Sequence, residues 1–495
     1  MSSEHFDVVV VGAGLSGIGA GYHLQTLCPD RSYVILEGRA QLGGTWDLFR
    51  YPGIRSDSDM YTLGYSFKPW TQAKAIADGP AILDYVTQTA RENGIDRHIR
   101  YRQHVKSAAW STDEARWTVQ AEGPDGPVSY TCSFLFMCSG YYNYAAGHTP
   151  EFAGAADFGG RIVHPQHWPS DLDYAGKRVV VIGSGATAVT LVPELAKSAA
   201  HVTMLQRSPT YVVSRPSEDR FANWLRAKLP AKAAYGITRW KNVLFSMFFF
   251  NLARRKPEKV KERLLAMVRV HLGPDYDVGT HFTPRYNPWD QRLCLVPDAD
   301  LFDALKSGAA EVVTDRIAHF TPGGILLEGG RELAADVVVT ATGLELQLLS
   351  DVAFEVDGVP VDLASTYNYK GMMYSGVPNL AHSFGYTNAS WTLKADLTCF
   401  YVCRLLNTLQ KRGLRQTTPR IGAEALKPQP FLDFTSGYVT RAMEKFPKQG
   451  HRWPWKLYQN YAQDLVTLKY GSVDIEMEFS NPVPTHAQKR ATADA

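Results

Sequence analysis

Twice along this chain a run of β-branched residues breaks into a glycine turn and then into an apolar segment that reads as a helix. Val8-Val9-Val10-Val11 leads into Gly12-Ala13-Gly14-Leu15-Ser16-Gly17, with Ile18 to Leu27 behind it. Val179-Val180-Val181-Ile182 leads into Gly183-Ser184-Gly185-Ala186-Thr187-Ala188. Continuously apolar strands of this kind suit a parallel sheet covered on both faces. In such a turn the first glycine makes the bend, the second lets a phosphate approach the backbone, and the third small residue lets helix meet strand. Two turns imply two bound dinucleotides and an α/β fold.

The strand beyond each turn separates the two sites. After the first turn, the strand Tyr33-Val34-Ile35-Leu36 ends at Glu37, 20 residues beyond Gly17, where a carboxylate can accept the hydroxyl protons of an adenosine ribose. After the second, His201 to Leu205 ends in Gln206-Arg207-Ser208, with no acid and with an arginine suited to a 2′-phosphate. FAD is therefore expected at the first site and NADPH at the second, with electrons passing from nicotinamide to flavin. Two further apolar strand ends, Phe134 to Gly140 and Val337 to Gly343, read as the places where the chain leaves the first domain and returns to it. The expected fold is two Rossmann-like dinucleotide-binding domains, the FAD domain discontinuous, the NADP domain inserted, with a helical insert in the latter. The boundaries expected are FAD domain 1–145 and 336–480, NADP domain 146–214 and 281–335, helical insert 215–280, and a flexible tail 481–495.

Gly43-Gly44-Thr45-Trp46-Asp47-Leu48-Phe49-Arg50-Tyr51-Pro52-Gly53-Ile54-Arg55-Ser56-Asp57 resembles the [AG]-G-x-W-x-x-x-x-[FY]-P-[GM]-x-x-x-D pattern of Baeyer–Villiger monooxygenases, and every specified position matches. Phe158 to Pro169, reading Phe-Gly-Gly-Arg-Ile-Val-His-Pro-Gln-His-Trp-Pro, likewise resembles their F-x-G-x-x-x-H-x-x-x-W-[PD] fingerprint, placed just before the second glycine turn. The similarity runs from about Phe6 to Gln459. Tyr51 to Tyr61 and Asn287 to Cys294 carry a closer resemblance to the ethionamide-activating monooxygenases of mycobacteria.

The resemblance implies a class B flavoprotein monooxygenase: NADPH reduces FAD, O2 adds at flavin C4a, and the peroxyflavin inserts one oxygen into a ketone, giving an ester or lactone, or oxygenates sulfur. By position Arg292 resembles the family's active-site arginine and Asp57 the carboxylate that holds it over the flavin. A developing oxyanion calls for a fixed cation, and arginine stays charged in a dry site. Many relatives have Lys before that arginine where this chain has Gln291, so NADPH preference rests more heavily on Arg207. The residues expected to hold FAD are Gly12, Gly14, Gly17, Glu37, Gly44, Thr45, Trp46, Asp57 and Val105. Those expected to hold NADP are Gly183, Ser184, Gly185, Ala186, Thr187, Arg207 and Ser208. His164 and His167 have a metal-like H-x-x-H spacing with no third ligand indicated, so His164 reads as a linker residue rather than a ligand or catalyst.

Composition narrows the alternatives. At 495 residues and 45% hydrophobic the chain can fill two or three cores, and a net charge of +3 does not advertise nucleic acid as the main partner. No apolar run approaches the roughly 20 residues needed to cross a bilayer. The start, Met-Ser-Ser-Glu-His, lacks the marks of a signal peptide, so a cytoplasmic location is expected. A flavin-dependent disulfide reductase would need a redox cysteine pair, and none of the six cysteines is so spaced. An N- or S-oxygenating flavin monooxygenase with little ketone activity stays open, as does a non-enzymatic nucleotide-binding scaffold. From Arg215 to Arg269, 14 Lys/Arg face 4 Asp/Glu among many aromatics. That insert reads as a solvated helical elaboration, a cap over the active site, or a peripheral contact with an anionic membrane. The partners expected are O2 and a small apolar ketone or sulfur compound. The identity of that substrate depends on loops around Tyr141 to Tyr144, Asn287 to Asp290 and Trp391.

Overall fold

The computed structural model describes residues 3–291, 293–432 and 437–482. Arg292, and the expected tail from residue 483 onward, lie outside the described residues.

Glu4–Val11 is the hub of a nine-stranded sheet, paired in parallel with Tyr33–Leu36 on one side and with Gly126–Met137 on the other. Its residues alternate between two cores. Val8 and Val10 join Ile35, Phe134 and Phe136 on one face, while Val9 and Val11 join Val34, Leu36 and Leu135 on the opposite face. Val8, Val9 and Val10 have no exposed surface, and each such side chain contributes about 2 kcal/mol of burial. Arg116–Gly123 and His104–Ser111 extend the sheet antiparallel from Gly126–Met137. Late in the sequence the chain comes back to this sheet twice. Ala353–Val356 pairs in parallel with His104–Ser111, and Leu380–His382 with Gly126–Met137. The helices Leu15–Leu27 and Trp391–Arg412 pack on each other over the first face. Cys399 and Cys403 are core residues of the second helix, and all six cysteines are buried and outside any disulfide.

A second, five-stranded sheet runs in the order Ala310–Thr314, His201–Gln206, Arg178–Ile182, Val337–Thr340, Arg161–Val163, all parallel. This corrects one expectation. Val337–Thr340 does not carry the chain back into the first sheet: it is a central strand of the second, between Arg178–Ile182 and Arg161–Val163. A buried parallel strand reads the same in either sheet, so its pattern could not say which neighbour it takes, and the return comes after Gly343 rather than at 336.

Within the segment expected to be a helical insert, the helices are Arg220–Lys228, Ala231–Arg255, Pro257–Leu272 and Val278–Phe282. Arg239 fastens the longest of them to the first body. Its buried guanidinium donates to Tyr61 O and Gly64 O, both at 2.8 Å, and lies 3.7 Å from Asp396.

Candidate active site

At the first glycine turn the backbone leaves no room for side chains. Gly12 has φ +102°, and a Cβ there would come within 2.6 Å of Cys138 O; a Cβ on Gly17 would sit 1.8 Å from Gly12 O. Gly43-Gly44 folds back over the turn, with Gly44 at φ +56° and its neighbour's N–H donating to Ala13 O at 3.0 Å. A Cβ on Gly14 would face Gly44 Cα at 3.5 Å. The gap between the two glycine stretches is a cradle that side chains would fill. The helix Leu15–Leu27 opens onto it with no side-chain cap, so its first N–H groups are available to a pyrophosphate.

Glu37 closes the far end of this cradle. It is buried, and accepts from Ala13 N at 2.7 Å and Arg39 N at 2.8 Å. Burial pushes its carboxyl above the usual range, and the two N–H donors and the nearby Arg39 pull against that. With two donors in place the carboxylate still has lone pairs for a ribose diol. Arg39, which sequence reasoning missed, lines the same cavity and is held by Asp47 at 2.6 Å, a carboxylate Arg50 also grips at 2.6 Å. Its signal was weak: Asp47 sits inside the fingerprint at a position the pattern leaves free. Ser16 was missed too. Its hydroxyl accepts from Trp391 Nε1 at 2.8 Å, fixing an indole that stacks on Tyr141.

The fingerprint loop lies between the two bodies. Gly53 packs against the helix Ala186–Leu195 so closely that a Cβ would be 3.0 Å from Glu194 Cβ and 3.3 Å from Thr190 O. Arg55 forms an ion pair with Asp300 beyond the second turn. The Tyr51 hydroxyl is hydrogen-bonded to Thr187, and burial pushes it up to about 12. Asp57 comes next on the same loop, exposed on the wall of the cavity.

The second turn is built alike but stays open. Gly183 N donates to Leu205 O at 2.8 Å as Gly12 N does to Leu36 O at 2.7 Å, so Gln206 occupies the place of Glu37. The Gln206 side chain turns away and donates to His281 O at 2.8 Å and Thr314 Oγ1 at 2.9 Å. Arg207 and Ser208 are left exposed at the strand end, and Ser184 Oγ reaches Ser208 O at 3.1 Å and Thr210 Oγ1 at 3.0 Å.

One cavity of about 1480 Å³ joins these features. Small-molecule sites run to roughly 1,000 Å³, so this one has room for a dinucleotide and more. It brings together Gly12, Gly14, Glu37, Gly44, Thr45, Trp46, Asp57 and Val105 from the first set, with Ala186 and Thr187 from the second. Gly17 stands behind it as a packing residue, while Gly183, Ser184, Gly185, Arg207 and Ser208 lie outside its walls. Trp46 is half-buried and touches the cores of both sheets. Tyr144 bonds Thr45 across the cavity, its hydroxyl pushed up to about 12 by burial. Tyr141, Trp289, Leu293 and Trp391 complete the wall.

His164 sits at the crossing between the sheets. Its Nδ1 accepts from Gln166 N at 3.2 Å and its Nε2 faces Gly343 O at 3.3 Å, while burial holds its pKa down. His167 Nε2 faces Ala145 O at 3.0 Å, so the two rings of the H-x-x-H pair face separate main-chain carbonyls.

Residues 74–263 match the flavin-binding monooxygenase-like family, and residues 10–78 the NAD(P)-binding Rossmann-like domain. The chain is 55% identical to the FAD-containing monooxygenase EthA of Mycolicibacterium smegmatis over 475 residues, 96% of each chain. It is 56% identical to EthA of Mycobacterium tuberculosis over 96% of this chain and 97% of the relative. Its fold is that of a steroid monooxygenase bound to NADP, at TM-score 0.75 and 22% identity over 96% of this chain and all of the other. It is also that of the NADP+-bound cyclohexanone monooxygenase from Rhodococcus sp. Phi1, at TM-score 0.73 and 19% identity over 97% and 100%.

Proposed function

Because the chain belongs to the family of FAD-containing monooxygenases that includes EthA, with FAD and NADP as its cofactors, we propose that it inserts one atom of O2 into apolar ketones, giving esters or lactones, and oxygenates sulfides and thiocarbonyl compounds. The observation that carries this reading is the placing of the fingerprint loop, with Asp57 on the cavity wall, Tyr51 bonded to Thr187 and Gly53 packed on the second body.

FAD reduced by NADPH supplies, with O2, the oxygen that is transferred; the protein supplies the rest. The first cradle would hold FAD by Gly12, Gly14, Gly44, Thr45 and Glu37, with Trp46 and Val105 on the same cavity wall. The second would hold NADP by Gly183 to Thr187, with Arg207 and Ser208 available to its 2′-phosphate. By its match to the family's arginine, Arg292 would supply a permanent cation for the negative charge that develops on the carbonyl oxygen of the substrate, and Asp57 would orient that guanidinium without exchanging protons. Tyr141, Trp289 and Trp391 present apolar ring surface that admits ketones and thioethers and displaces water.

The test mixes anaerobically NADPH-reduced protein with oxygen and monitors the flavin spectrum, ester or sulfoxide formation and hydrogen peroxide. Product matched to NADPH with a ketone supports the reading. Sulfoxide without ester narrows it to sulfur oxygenation. Stoichiometric peroxide with both substrates untouched overturns it. Arg292→Ala should keep FAD and lose oxygenation by about 100-fold or more, as removal of a charge-stabilising donor does elsewhere.

A further inference from the structure

The helices Arg220–Lys228 and Ala231–Arg255 turn an apolar face to solvent. Ile237, Trp240, Leu244, Phe245 and Phe248 have the i, i+3, i+7, i+8, i+11 spacing of one helix face, and all are exposed. Phe248 is 65% exposed, Leu244 58%, and Trp224 on the neighbouring helix 57%. Contacts join the two helices into one patch. Phe221 stacks on Trp224 at 6.1 Å, and the Lys241 ammonium lies 5.0 Å over the Phe221 ring. The opposite face of the long helix is the one packed on the protein, through Ala234, Tyr235, Thr238, Arg239 and Val243. An exposed apolar surface of this kind marks an interaction site.

The charges around it select the partner. Arg220, Lys228 and Lys232 rise from the two helices, all exposed, Lys241 is ion-paired with Asp219, and Arg255, Lys256 and Lys259 continue the basic surface at the far end. A second copy offering the same face would bring excess positive charge against excess positive charge. Aromatic and aliphatic side chains ringed by cations match an anionic bilayer surface, where rings enter the headgroup layer and ammonium groups meet phosphates. Among the described residues no helix is long and apolar enough to cross a membrane, so contact of this kind is peripheral.

The patch also borders the cavity. Phe221, Lys241 and Phe245 belong to both, and Phe249 and Phe250 lead inward from the same helix. We propose that this face docks on anionic membranes and that the cavity takes apolar substrate directly from the lipid. Docking is independent of the chemistry; delivery of substrate rests on the oxygenation proposed above.

The experiment sediments the full-length, FAD-loaded protein with phosphatidylcholine vesicles, with or without phosphatidylglycerol, at low and high salt. Three exposed residues outside the cavity wall are changed together, Trp224→Ser, Leu244→Ser and Phe248→Ser, and separately Lys228→Glu with Lys232→Glu. The expected result is pelleting with phosphatidylglycerol vesicles at low salt, reversed by salt, and weakened at least about tenfold in both variants. FAD content and turnover of a water-soluble ketone should stay at wild-type levels, while turnover of a long-chain ketone supplied in vesicles falls. Absence of pelleting at low salt overturns the proposal, as does a variant that pellets like the wild type. Light scattering that shows a dimer converted to monomer by the triple change also overturns it, since a second copy would then be the occupant. Pelleting needs no turnover, so failure of the oxygenation reading would leave docking standing and remove only the delivery of substrate.

Discussion

The two glycine turns share a plan and differ in how tightly they close. At the first, the Gly43-Gly44 stretch covers the turn, Glu37 is buried beneath it, and the helix start opens into the large cavity. At the second, a Cβ on Gly185 would meet nothing within 4 Å, Gln206 has turned away, and Arg207 stands in solvent. On the assignment proposed above, the covered turn suits a retained ligand and the open one a ligand that exchanges. A resident flavin and a diffusible donor place those opposite demands on one motif.

Gly17→Ala should give the largest effect, because its Cβ would lie 1.8 Å from Gly12 O and backbone cannot step aside: the protein purifies without FAD or fails to fold, read by absorbance at the flavin band. Glu37→Ala comes next. It leaves the buried N–H groups of Ala13 and Arg39 without an acceptor, a loss of about 1–3 kcal/mol, and FAD affinity measured by titration of the flavin-free protein should fall accordingly. Arg207→Ala should raise KM for NADPH roughly tenfold, about 1.4 kcal/mol, leave KM for NADH unchanged and leave FAD content intact. An equal loss of both cofactors would break the division drawn between the sites.

The smallest effect is in pH. Glu37 has its folded pKa raised, chiefly by burial, above an ordinary 4.5. Its contribution to the stability of the flavin-free protein is therefore complete below that ordinary value and is lost as pH rises through the raised one. Glu37→Gln should flatten that stretch of a denaturation-against-pH curve, and Gln206→Ala should leave its shape alone.

Much of this was legible in the chain. Glycines with no space for a Cβ, β-branched runs buried on both faces, and an acid after the second strand each arise from a local constraint that leaves few choices of residue. The loop from Gly43 to Asp57 was legible because its pattern is long. Val337–Thr340 was not, since Val-Val-Val-Thr satisfies any central parallel strand and its partners lie far off in sequence. Nor was the split of the Phe-rich run: Phe249 and Phe250 line the cavity while Phe248 faces solvent, and adjacent residues on a helix differ in this way only once its packing is known. Arg39 and Ser16 escaped because their partners, Asp47 and Trp391, are revealed by folding.

Gly53, pressed against Glu194 and Thr190, and Arg55, paired with Asp300, make the loop from Tyr51 to Asp57 a shared wall of two ligand sites. A shared wall couples its two occupants. Whatever free energy one dinucleotide commits to ordering that loop is not required again of the other, and reciprocity makes the factor identical in both directions. If the flavin and nicotinamide sites are those proposed above, filling either would tighten the other by one and the same ratio, so that the hold on one cofactor would report the occupancy of the other.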